Sequence, residues 1–161
     1  MNLIGIDPGT TTGFAVCDSK TQQIIIVQSL SIHRALYEVK SIAGRTSETT
    51  FVVFEDARMR KWFGNAGREK LQGVGSVKRD CSIWEDFLED EGIPYRANRP
   101  IEHGTKWTSE YFKRATGWQA RTSEHGRDAA VLVWGINEPM AQGWLRTWQQ
   151  ARTRAKASAH T

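Results

Sequence analysis

The sequence predicts a mixed α/β fold, a five-stranded sheet in which three antiparallel strands are followed by βαβ crossovers, flanked by helices. Three observations carry that prediction. Leu3, Ile4 and Ile6 form an apolar run of strand length that Pro8-Gly9 closes, and a second apolar stretch, Phe14 to Cys17, follows at once, so the opening reads as a hairpin. Phe51-Val52-Val53-Phe54 is another strand-length run. Around it, apolar residues recur at three- and four-residue spacing, the period of amphipathic helices.

Taken in order, the strand from Asn2 to Ile6 delivers Asp7 into the turn Pro8-Gly9-Thr10-Thr11-Thr12-Gly13, where glycines let a phosphate or another backbone approach closely. Ile24 to Val27 reads as a third strand, packed on both faces or nearly so. Ser31 is the expected N-cap of a helix reaching about Ala43, with Ile32, Ala35, Leu36, Val39 and Ile42 on one stripe and Gly44 as its stop. The strand Phe51 to Phe54 ends in Glu55. Residues 57–69 make a glycine-containing basic loop in which Trp62 and Phe63 stand beside Arg58, Arg60 and Lys61. Those aromatics either stack on or wedge between bases while the cations grip phosphates, or they fold back onto the core. A long helix is predicted from Glu69 to Glu91, with Leu71, Val74, Val77, Cys81, Trp84 and Leu88 inward and Gly92 beyond its end. Ile93-Pro94-Tyr95-Arg96 leads into a short fifth strand. Further helices are expected at Lys106 to Ala115 (Trp107, Tyr111 and Phe112 inward), at Asp128 to Trp134, and at Pro139 to about Ala157, with Met140, Trp144, Leu145 and Trp148 on its apolar side. The organisation is one domain over 1–137 and a basic C-terminal helix and tail over 138–161.

At 161 residues, 39% hydrophobic and with seven Trp, the chain suits one folded globule. No apolar run approaches 18 residues and no signal peptide is recognisable, so the expectation is a soluble, cytoplasmic protein with no membrane partner. Cys17 and Cys81 sit in apolar settings and read as reduced core residues. The net charge of +4 lies entirely in the tail, because Arg146, Arg152, Arg154 and Lys156 follow Pro139 without an acid. Residues 57–80 hold seven basic side chains against Glu69 and Asp80, whereas residues 85–91 supply five acids. Such segregation suits a polyanion on one face, or is solvated surface charge.

Asp7, Glu55 and Asp128 lie on separate elements that can converge at the end of the sheet. Asp7 alone also fits a turn-capping role. Three carboxylates brought together resist ionisation unless a cation sits among them, and hard oxygen ligands favour Mg²⁺, with Mn²⁺ able to substitute. Two such ions can activate a water and stabilise the leaving oxygen of a phosphodiester. His125 lies three residues before Asp128 and shares its helix face; it either ligates an ion, moves a proton or is a surface histidine. Glu124 is expected to point elsewhere.

Ile4-Gly5-Ile6-Asp7-Pro8-Gly9 followed by Thr12-Gly13 resembles the opening of RuvC-type Holliday junction resolvases, members of the RNase H-like nuclease superfamily. Glu55 matches the family's glutamate at the end of the fourth strand. His125 and Asp128 match its closing motif, an Asp or His three residues before a final Asp. The resemblance spans Met1 to about Trp134, and the Trp-rich, compact form resembles phage or prophage branches. It implies a homodimeric, Mg²⁺-dependent endonuclease that resolves four-way DNA junctions by paired symmetric nicks, with Asp7, Glu55, His125 and Asp128 as catalytic and metal-binding residues. It also implies pairing of the two copies through the helix at 69–91, Trp62 or Phe63 at the junction centre, and DNA contacts from Lys106, Arg99 and Lys113. The family's glycine-rich stretch before the last helix is represented only by Gly104.

Three other readings share some of these residues. The turn from Asp7 to Gly13 also resembles the first phosphate loop of the actin, sugar-kinase and heat-shock ATPase superfamily, although that chemistry needs two domains and a second loop. A related nuclease for other branched DNA or for RNA–DNA hybrids would use the same metal chemistry. A catalytically idle DNA-binding protein has no physical need for clustered carboxylates.

Overall fold

The computed structural model describes residues 1–45, 47–59, 68–100 and 106–158, with the backbone alone for 68–72 and 74. Its strands are β1 (Asn2–Asp7), β2 (Thr11–Asp18), β3 (Ile24–Ser31), β4 (Thr50–Glu55) and β5 (Tyr95–Asn98). Its helices are α1 (Ile32–Arg45), α2 (Arg68–Asp90), α3 (Ser109–Thr116), α4 (Glu124–Val131) and α5 (Glu138–Ser158), with a 3₁₀ turn at Ala57–Met59. The strand order is β3-β2-β1-β4-β5. β1 and β2, and β2 and β3, are antiparallel, whereas β1 and β4, and β4 and β5, are parallel. This is the predicted mixed five-stranded sheet.

Alternation along each strand sorts the side chains onto two faces. Ile4, Ile6, Phe14, Val16, Val52 and Phe54 point to one face and are buried against Ala35 and Val39 of α1 and Cys81, Trp84 and Leu88 of α2. Leu3, Cys17, Phe51 and Val53 point to the other, where Val133, Ala141, Trp144 and Trp148 cover them. Ala15 shares that second face with Phe112 of α3 and Ala129 and Ala130 of α4. By the same parity Asp7 and Glu55, two residues beyond Gly5 and Val53, belong to the second face at the strands' C-terminal ends. At the opposite end of the sheet α5 is fastened by Glu138, which accepts from the Ser19 hydroxyl and from Gln142 Nε2 at 2.9 Å. The Ser19 bond first, then Gln142, holds the Glu138 carboxyl down at about 2.

Several expectations are corrected. β3 runs on to Ser31 and is an edge strand, so it is only half covered, and Ile25 is 53% exposed. α1 follows it directly and passes through Gly44. β5 begins at Tyr95, after Pro94 has given its carbonyl to Val52 N–H. α3 starts at Ser109, because Thr108 caps it by accepting from Tyr111 N–H; Phe112 fills the inward face of the helix, and Tyr111 is turned outward at 44% exposure. Met140 is also exposed, since Ala141, Trp144 and Trp148 already fill the face of α5 that meets the sheet. α4 starts at Glu124, a full turn before the expected Asp128, and ends at Val131. As expected, Cys17 and Cys81 are free and buried. Trp62, Phe63, Arg60 and Lys61 lie outside the described residues. No helix among the described residues is long and apolar enough to cross a membrane.

Candidate active site

The site is built by laying α4 directly on the sheet. Across β1, β2 and β3, Asp7, Gly13 and Ser29 form one row of neighbours, and Gly5, Ala15 and Val27 form the next row on the same face. A Cβ on Gly13 would fall 1.9 Å from the carbonyl oxygen of His125, and one on Gly5 would fall 2.0 Å from that of Ala129. Only glycine at these two positions lets the helix backbone come so close. Ser123 caps α4 by accepting from Gly126 N–H at 3.0 Å, and its hydroxyl lies 2.6 Å from that of Ser29, which pins the helix start to β3. The close approach that the opening glycines allow is thus used, at Gly13, by the protein's own helix.

That docking sets His125 over the end of β1, with Nδ1 2.8 Å from Asp7 Oδ2. Burial pushes the Asp7 carboxyl above its ordinary value of 3.8, and the Asp128 charge adds to this; the His125 bond and the Lys106 charge oppose it without cancelling it. One turn along α4, Asp128 Oδ2 accepts from Lys106 Nζ at 3.1 Å, and the same ammonium bonds Glu124. Those partners, Glu124 first, push Lys106 up to about 12. Glu124 therefore joins the cluster, contrary to expectation, because it lies four residues before Asp128 and residues at that spacing stand one above the other on a helix.

Arg127 is a residue that the sequence reading missed. Its Nε donates to the Trp107 carbonyl at 2.9 Å, and Nη1 donates to the Thr122 carbonyl and hydroxyl, both at 3.2 Å. Trp107 packs edge-on against Tyr111 and Trp134, with centroids 4.7 and 5.2 Å away. Lys106 is held at the cluster by this clamp on its neighbour. A charged residue inside the His125–Asp128 motif was visible in the sequence; its carbonyl partners, 20 and 5 residues away, were not.

Glu55 ends β4 on the face that carries Asp7. β1 and β4 pair in parallel up to Ile6 and Phe54, so Asp7 and Glu55 are the next residues on adjacent strands. Asn98 of β5 is the neighbour of Glu55 on its other side. No protein-family model matches the chain, and no curated protein matches it in sequence. Among solved structures, T. thermophilus RuvC in complex with Holliday junction substrate matches with a TM-score of 0.54 at 17% identity, covering 83% of this chain and 91% of that one. The fold is RuvC-like.

Within this RuvC-like fold, the structure brings Asp7, His125 and Asp128 to one end of the sheet beside Glu55, with Lys106 among them. The other expected contacts are dispersed. Arg58 grips Asp56 with Nε and Nη2 at 2.8 and 2.7 Å and reaches Glu85 of α2 at 2.7 Å. Burial acts to raise the Asp56 carboxyl, and the bonds from Arg58 more than offset it, holding Asp56 below the usual carboxylate range. Arg58 thus ties the 3₁₀ turn after Glu55 to α2. Arg99 is exposed and donates to the Met59 carbonyl at 3.3 Å. Lys113 is half-buried on α3. A cleft of about 640 Å³ lies elsewhere, between α5 and β5, lined by Trp144, Trp148, Arg96 and Arg152.

Proposed function

We propose that this chain is a divalent-metal-dependent endonuclease that resolves four-way DNA junctions by paired nicks, working in the cytoplasm as a homodimer. The observation that carries the reading is the gathering of Asp7, His125 and Asp128 with Glu55 on one face at one sheet end. The likeness to RuvC supports it at the level of fold.

The donors fit a hard cation. Asp7 is desolvated and pushed toward its neutral form, as a carboxylate awaiting positive charge should be. Among the described residues no three His, Cys, Asp or Glu side chains already stand as a metal-binding group. The Lys106 ammonium engages Asp128 and His125 engages Asp7 instead. Asp7, Glu55 and Asp128 would hold Mg²⁺ or Mn²⁺, which when bound offsets their charge and polarises the scissile phosphate. Asp7 orients the His125 ring through Nδ1, so that Nε2 takes the proton of the attacking water. Lys106, exposed at the rim, meets a phosphate oxygen as a point charge. Arg99 and Lys113, with Arg60 and Lys61, contact the DNA backbone, and Trp62 or Phe63 enters the junction centre. Arg58 supports Glu55 through the turn it anchors instead of touching DNA. The dimer packs through α2, where Ile83 is 38% exposed.

A gel assay with a labelled four-way junction, a Y-fork, linear duplex and an RNA–DNA hybrid tests the substrate. The expected outcome is cutting of the four-way junction with Mg²⁺ or Mn²⁺ and none with EDTA. Cutting confined to the fork or the hybrid would keep the metal chemistry and overturn the junction assignment.

A further inference from the structure

The residue beside Glu55 on β5 has no assigned role and an unusual environment. Register makes Asn98 the neighbour of Glu55. Parity gives its face: Tyr95 and Ala97 pack against the α1–α2 core, and the Arg96 guanidinium lies 4.5 Å over the Trp144 ring on the opposite side, so Asn98 points with Arg96 and Glu55. Its Oδ1 is buried and accepts no hydrogen bond among the described residues. A buried amide oxygen without a donor costs about 1–3 kcal/mol, and a cation bound beside Glu55 would satisfy it.

Resting on the metal-dependent reading above, we infer that Asn98 supplies Oδ1 as a further oxygen ligand to the divalent cation held by Glu55. The chemistry favours an amide at this place. Asp7, Glu55, Asp128 and Glu124 already crowd negative charge into one end of the sheet, and another carboxylate would add repulsion whenever the metal is absent. A neutral oxygen enlarges the ligand set without adding charge, and Mg²⁺ and Mn²⁺ both accept carbonyl-type oxygens.

The test is Mn²⁺ titration followed by electron paramagnetic resonance on the full chain, with thermal melts in EDTA for each variant. Wild type binds Mn²⁺; Asn98→Leu, of similar size, binds about tenfold more weakly, yet melts at or above the wild-type temperature in EDTA because the orphaned oxygen is gone. Asn98→Asp binds at least as tightly as wild type. Leu and Asp variants that both bind like wild type while Glu55→Gln weakens binding would overturn the role of Asn98 and leave the metal site standing. An Asp variant that binds as poorly as the Leu variant would also overturn it, since the amide would then be serving as a donor to Glu55. Failure of the wild type to bind Mn²⁺ would remove the metal reading and this inference together.

Discussion

At the scale of single residues, the site is a set of charges balanced by one another. Burial desolvates the Asp7 carboxyl, and its raised pKa means that the folded chain takes up its proton more readily than the unfolded chain does. The sign follows from linkage: Asp7 favours folding at low pH, and that contribution is lost as pH rises through the raised folded value. Asp7→Asn, which keeps an acceptor for His125, should therefore melt higher than wild type at pH 7 in EDTA, with about 2–4 °C for each kcal/mol in a chain of this size. The difference should close as pH falls below the ordinary value of 3.8, while cutting is abolished at every pH. A melting temperature for the variant below wild type at neutral pH would refute this electrostatic account. The carboxylates and His125 were legible because strand ends and a three-residue helical spacing are local patterns. Glu124 is hidden for a reason equally local, since a helix expected only from Asp128 does not show its four-residue relation to Asp128. Arg127 was beyond reach, because its partners are backbone carbonyls of other segments.

At the scale of elements, α4 is the part that makes the site, and two glycines decide where it lies. Gly13→Ala would drive a methyl group into the His125 carbonyl and to 3.0 Å from Asp7 Cβ. Both contacts are to atoms that cannot rotate away, so the helix must lift from β2. The expected cost is about 3 kcal/mol or more in a urea melt, and cutting by the folded fraction should fall roughly 100-fold, because His125 and Asp128 move with the helix. A variant with an unshifted urea midpoint would show that α4 does not sit as described. Gly13 was readable as a glycine of the turn, and its use, with Gly5 of β1, as a seat for α4 required the register that pairs Asp7 with Gly13. The local signal for the true start of α4 is Ser123, a capping residue by type with Glu124 in the first turn. The exposure of Tyr111 and Met140 follows from which helix faces meet the sheet, a tertiary fact that apolar identity does not reveal.

At the scale of the whole molecule, one sheet separates a core from a site. One face is closed by α1 and α2 over an apolar interior, and the other carries α4 at one end and α5 along the remainder. Asp7 and Glu55 stand at the C-terminal ends of the parallel strands β1 and β4. The apolar cleft between α5 and β5 begins at Phe51 and Tyr95, at the opposite strand ends. The architecture was legible in the sequence because strand-length runs and helical stripes set the order of elements, and short connections left few ways to join them. The claim that this arrangement cuts branched DNA is tested most directly on a supercoiled plasmid that extrudes a cruciform. With Mg²⁺, wild type should convert it to linear product by paired nicks across the junction, while EDTA or Asp7→Asn should leave it supercoiled. An intact plasmid after incubation of wild type with either Mg²⁺ or Mn²⁺, or linear product from Asp7→Asn at the wild-type rate, would contradict the account.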